Sequence, residues 1–310
     1  MPSSFGRIAP FSLMIQSLWM LVAAFFFACM SACVKYTSGL GEAGTFEIVF
    51  YRSFIGMMFI LAIVLTRGYT VRTKHLTGHL KRSILGTIAF TMWFASMAYL
   101  PLGTSTTLNY TAPIFIAITT IIVALRNKQK APWLLGLAIL AGFIGICLIL
   151  RPSVNEEQLP WAMLGLAAGA LGPVIFFQIK QLGRLKEPSY RIVFYFSLVG
   201  TIWGFAGMFL IENGLAWHST ETTLGLLGVG TVAILAQLAM TRAYAYGNMM
   251  LSACLQFATI PFSEILSAVV FHETLPAVAL AGMGLILVSG CSATVITKRM
   301  EQRKAERAAD

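Results

Sequence analysis

Charge is scarce in this sequence. Only 11% of its 310 residues are Asp, Glu, Lys or Arg, where the surface of a soluble domain needs roughly 25%. Hydrophobic residues make up 57% and glycine adds another 27 positions. A water-soluble fold of that composition would leave extensive apolar surface uncovered, and a disordered chain is excluded by the same surplus. Cysteine and histidine are sparse as well. Cys29, Cys33, Cys147, Cys254 and Cys291 fall in apolar stretches without a CxxC pair, and His75, His79, His218 and His272 sit in connections. Neither a disulfide framework nor a metal site is supported, and no cofactor is expected. Cys29 and Cys33 share a helix face four residues apart and read as packing. Asp310 is the only aspartate, so the Asp, His or Cys cluster that an integral membrane enzyme acting on lipids would need is missing. The phosphate-binding P-loop is also missing, which leaves ATP-driven transport by this chain alone unsupported. The first apolar run has no A-x-A-like cleavage site after it and reads as a retained span.

Long apolar runs are what the chain does have. They lie near 17–35, 45–66, 83–100, 104–125, 132–150, 160–179, 192–211, 222–241, 248–271 and 275–297, each bounded by charge, Pro or Gly. A crossing takes about 20 residues, so these are ten candidate transmembrane helices joined by short connections. The runs on either side of Pro101 are best separated by a tight turn, because one helix over both would far exceed the bilayer. With the N-terminus cytoplasmic, every one of the 22 Lys and Arg residues except Lys35, Arg52 and Arg151 falls on an inside segment, and Glu42, Glu156, Glu157, Glu212, Glu221 and Glu273 fall outside. Both termini are therefore expected in the cytoplasm, and the net charge of +10 reports topology, not nucleic acid. The 67–82 loop, with two histidines and several basic residues, reads as solvated. Trp133, Trp161 and Trp217 sit at span ends, as an interfacial belt would.

The two halves repeat. Thr104-Ser-Thr-Thr-Leu-Asn-Tyr-Thr-Ala-Pro113 overlies Ser252-Ala-Cys-Leu-Gln-Phe-Ala-Thr-Ile-Pro261, small and polar residues leading to a proline in each case. Five spans per half is an odd number, so the second copy enters the membrane upside down. The expectation is an all-α integral membrane protein of ten helices in two inverted five-helix repeats, 1–151 and 152–310, in the inner (plasma) membrane. Such a repeat builds secondary transporters, with the solute site where the halves meet.

Intramembrane polar groups single out candidates for that site, because each is costly in hydrocarbon. Ser252, Gln256, Thr259 and Ser263 form one stripe, with Glu264 about 100° from Ser263 and three residues past Pro261, placed as a proton or cation coupling site. Arg52 either binds an anionic group of the solute or locks its span to another helix. Glu47, near the outer boundary, reads as solvated. Thr107, Asn109 and Tyr110 precede Pro113, and paired proline-broken helices in matching halves point to a binding site. Trp93, Tyr99, Gln178 and Gln237 complete the cavity-lining set. Gly165-Leu-Ala-Ala-Gly169 and Gly200-Thr-Ile-Trp-Gly204 predict close helix packing, within the chain or between copies.

These residues resemble the EamA-type ten-span members of the drug/metabolite transporter superfamily. The resemblance rests on Glu47-Ile-Val-Phe-Tyr-Arg52-Ser-Phe, on Tyr99 to Pro113, and on Ala243-Tyr-Ala-Tyr-Gly247 through Pro261 and His272-Glu273 to Gly282–Gly290. Members usually carry a Glu at the end of both proline-containing spans; here the second copy has Glu273, but the first has Leu125-Arg126-Asn127. The resemblance implies a secondary transporter, not an enzyme, and permits amino acids, S-adenosylmethionine, riboflavin and drugs in either direction. Lys35, Glu47 and Arg52 are similar to a set in members that take up S-adenosylmethionine. The expected partners are a small amphoteric, amino-acid-like solute, the bilayer and a coupling proton, with exchange as the other energy source. A membrane enzyme, a channel and a non-transporting scaffold are the competing classes.

Overall fold

In hydrocarbon a chain must satisfy its own backbone groups, so apolar runs fold as helices. The computed structural model describes residues 10–100, 108–112, 115, 122, 125–126, 133–150, 156–212, 214, 217–270 and 277–306, and the regular structure among them is helical. The helices are α1 (Pro10–Gly39), α2 (Thr45–Arg67), α3 (Leu76–Tyr99), α4 (Trp133–Leu150), α5 (Leu159–Arg184), α6 (Ser189–Leu210), α7 (Thr220–Tyr246), α8 (Met249–Leu255), α9 (Thr259–Val270) and α10 (Ala277–Glu306). Among the described residues five segments are long and apolar enough to cross a membrane: Leu13–Gly39, Thr45–Arg67, Glu156–Arg184, Ser189–Leu210 and Thr220–Tyr246. Shorter apolar helical segments cover Trp133–Gly145, Leu251–Ser263 and Leu280–Ser292. Most of the expected fourth span, with Thr107 and Pro113, lies outside the described residues.

The expected single span at 248–271 is interrupted. A 3-10 turn over Gln256–Ala258 separates α8 from α9. Pro261 accounts for it, since its ring lacks an N–H and crowds the carbonyl four residues back, that of Phe257, so the backbone tightens there.

Helices pack across the middle of the sequence. α1 lies along α7, α2 along α6 and α7, α3 along α5 and α6, and α4 along α10. Small residues set the close approaches. On α6 a Cβ at Gly204 would stand 2.7 Å from Phe50 Cα, and a Cβ at Gly165 on α5 would stand 3.2 Å from Ser96 Oγ. Both glycine pairs thus serve packing within the chain. Ile202, Phe205, Phe209 and Leu210 occupy the opposite, exposed face of α6. Apolar residues outside and small residues inside suit a lipid surround.

Candidate functional site

The helices enclose a narrow cavity of about 70 Å³, room for a handful of waters. Its wall includes Phe27 from α1, Arg82, Gly86, Phe90 and Trp93 from α3, Asn109 and Tyr110, Gly172 and Phe176 from α5, Met240 from α7, and Gln256 from the 3-10 turn. The helix interruption is what brings Gln256 to this point. Its Oε1 accepts from Tyr244 Oη at 2.8 Å, and Phe176 stacks on Tyr244 with centroids 4.1 Å apart. Trp93, Asn109, Tyr110 and Gln256, all expected cavity residues, therefore share one wall.

Two arginines flank this space. Arg82 is 1% exposed, with its guanidinium carbon 3.9 Å over the Phe196 ring. Gly86 makes room for it, as a Cβ there would stand 2.9 Å from Arg82 Nη1. Arg52 lies 4.0 Å over Phe90 and 5.4 Å from Phe196, and its Nη2 donates to Gln237 Oε1 at 3.2 Å. Arg52 Nε, Arg82 Nε, Arg82 Nη1 and Trp93 Nε1 are buried donors without a hydrogen-bond partner among the described residues. A buried guanidinium without a counter-charge costs several kcal/mol, more than the roughly 0.5–2 kcal/mol of a cation–π contact.

The expectation of a solvated 67–82 loop is corrected here. α3 begins at Leu76, so His79 and Arg82 lie within the helix and are buried. Arg82, Gly86, Ala89, Trp93 and Ser96 recur at i+4, i+7, i+11 and i+14 and are buried together. That stripe of one charge, small residues and one aromatic was the signal for Arg82.

Carboxylates at the bundle ends are, by contrast, well partnered. Glu187, between α5 and α6, accepts from Thr73 Oγ1 at 2.6 Å and Arg191 Nη1 at 2.7 Å, with His79 Nε2 3.4 Å away. Burial opposes ionisation there, but the Thr73 and Arg191 bonds prevail and hold the Glu187 carboxyl below the usual carboxylate range. At the other end Glu212 accepts from the backbone N–H of Phe46 at 2.8 Å and of Glu47 at 3.1 Å, capping α2. Glu47 is buried, not solvated as expected, and its Oε1 lies 2.7 Å from His218 Nε2. Glu42 accepts from Ser219 N at 2.9 Å and Ser219 Oγ at 3.0 Å, and the backbone bond draws its pKa down. Every one of these contacts joins a residue before 151 to one after it, except the local bond between Glu187 and Arg191.

The remaining sequence candidates disperse. Gln237 holds Arg52 beside the cavity. Tyr99, the last residue of α3, is 56% exposed and stacks on Trp161 at 3.7 Å, at the helix end and away from the cavity. Gln178 opens into a separate cleft with Lys74, His75 and Lys81. Ser263 is half-buried on α9 and Pro261 is buried there; the Glu264 side chain lies outside the described residues. Phe27, Phe90, Phe176 and Met240 carry no sequence signal beyond apolarity.

Long apolar helices packed around a cavity make this a multi-pass membrane protein. A solved crystal structure shares the fold, with a TM-score of 0.76 at 16% identity, covering 94% of this chain and 100% of the other. Residues 14–151 match the EamA-like transporter family. The chain is 28% identical over 281 residues to a pseudopaline exporter of Pseudomonas aeruginosa, covering 90% of this chain and 95% of that one. A riboflavin transporter of Vibrio cholerae is 25% identical over 88% of this chain and 90% of its own. An S-adenosylmethionine uptake transporter of Rickettsia bellii is 24% identical over 51% of this chain and 53% of its own.

Proposed function

We propose that the chain is a secondary active transporter that moves a small polar or amphoteric metabolite across the inner (plasma) membrane by alternating access. The cavity carries this reading, because its wall is assembled from both sides of residue 151 and mixes aromatic surface with Asn, Gln and Arg. Two inverted halves, 1–151 and 152–310, rock about it, with both termini cytoplasmic. The packing supports that division: exchanging α1 with α5, α2 with α6 and α3 with α7 turns each of the pairs α1–α7 and α2–α7 into the pairs α5–α3 and α6–α3 that are also present. The relatives' names span export and uptake of metabolites, which supports the solute class and leaves direction to experiment. Pro261 interrupts its helix, Pro113 is its counterpart in the sequence repeat, and Glu264, within α9 and three residues past Pro261, is the coupling residue.

The test is uptake by purified protein in liposomes of labelled S-adenosylmethionine, aromatic and aliphatic amino acids and riboflavin, with and without a pH gradient. Saturable uptake raised by the gradient and abolished in Glu264→Gln establishes a proton-coupled carrier. Counterflow independent of the gradient makes it an exchanger and removes Glu264 from coupling. No transport of any member by folded protein overturns the reading.

A further inference from the structure

The charge around the cavity is of one sign. Arg82 lines it and Arg52 stands behind Phe90 and Phe196, while no carboxylate of the described residues bonds either guanidinium. Elsewhere the fold partners its buried charge, as Glu187 and Glu47 show. Arg82 Nε and Nη1 have no hydrogen-bond partner among the described residues, and the guanidinium lies over the face of Phe196. Trp93 Nε1 is a further buried donor without a partner, in the same cavity wall. A buried guanidinium with unbonded Nε and Nη1 donors in a cavity wall is built for an oxyanion, since charge-assisted bonds strengthen at low local dielectric.

We infer that Arg82 is a substrate-specificity residue: the solute carries an oxyanion, a carboxylate or a phosphate, that seats on the Arg82 guanidinium while its apolar or aromatic body lies against Phe27, Phe90, Trp93 and Phe176. Arg52 supplies a second positive charge behind the aromatic wall and favours the same sign of ligand. Arg82 thereby selects solutes, and Gly86 keeps the space its guanidinium occupies. This rests on the proposed role of the cavity as the solute site.

The experiment measures melting temperature of the purified full-length chain in detergent with benzoate, phenyl phosphate and the neutral isostere benzamide at matched ionic strength. An increase with benzoate or phenyl phosphate and none with benzamide is expected, and which anion acts distinguishes carboxylate from phosphate. Arg82→Gln should weaken the anion response roughly ten- to hundredfold, the range of a lost charge-assisted bond. Arg82→Lys should keep part of it, and Arg242→Gln, on the exposed side of α7, all of it. Equal stabilisation by benzamide, no response to either anion, or a full response in Arg82→Gln overturns the inference. Should Arg82→Gln not fold, the anion-against-amide contrast on the unaltered protein decides. Transport is scored separately. A folded protein that binds the anions but moves no solute overturns the transporter reading alone, whereas unchanged transport of the panel by Arg82→Gln overturns the anion site alone.

Discussion

One turn of α3 separates two opposite treatments of a basic side chain. His79 faces Glu187 at 3.4 Å, in a cluster that Thr73 and Arg191 complete, whereas Arg82, three residues on, rests on a phenylalanine ring with Nε and Nη1 unbonded. In the first, Arg191 compensates Glu187 and Thr73 donates to it while His79 packs alongside, and the cluster ties the α2–α3 connection to the start of α6. In the second, a costly group is held in place by an aromatic face and a glycine, with its donors left over. Compensated charge stabilises, while uncompensated charge in a cavity wall is destabilising and persists where a ligand uses it.

The largest effect that tests this contrast is Glu187→Ala. It strands Arg191, Thr73 and His79, and should lower unfolding stability by about 3 kcal/mol in denaturant titration of the detergent-solubilised protein. Arg82→Met should act in the other direction, stabilising by about 1–2 kcal/mol because an unpaired buried charge is removed, while the response to benzoate or phenyl phosphate disappears. A clear loss of stability in Arg82→Met would break the comparison and make Arg82 structural. Acid provides a graded version. The Glu187 carboxyl titrates below the usual carboxylate range in the folded chain, so its contribution is present above the unfolded value near 4.3 and is lost as pH falls through the folded value. Melting temperature should therefore drop in acid more steeply for the natural chain than for Glu187→Gln. Tyr99→Ala should have the smallest effect. Losing the stack on Trp161 removes about 1 kcal/mol, and transport kinetics should not move, because the ring lies outside the cavity.

Much of the helical framework was legible from hydropathy, since apolar runs at 45–66, 160–179 and 222–241 become Thr45–Arg67, Leu159–Arg184 and Thr220–Tyr246. The helices overrun the apolar limits because hydrogen bonding continues past the hydrocarbon into residues such as Lys180 and Arg242. Arg82 was misread for the related reason that Arg72, Lys74 and Lys81 precede it, and a basic run looks like a loop whether or not its last member turns inward. Pairings across great sequence distance left no local trace. Glu47 meets His218 171 residues away, and Arg52 meets Gln237 185 residues away. Of the site, Trp93, Asn109, Tyr110 and Gln256 were readable as polar or aromatic residues in spans. Tyr99 has the same local appearance, and only its position as the final residue of α3 sets it apart.

The cap on α2 has a kinetic consequence. Glu212 belongs to the connection after α6, yet it closes the first N–H groups of α2. Any conformation that parts these two helix ends leaves the first turn of α2 with unanswered donors, and so frays it until water enters. Opening at that end is then a helix-fraying event whose barrier depends on one carboxylate borrowed from the opposite half of the chain. Glu212→Gln would soften that barrier without touching the cavity wall.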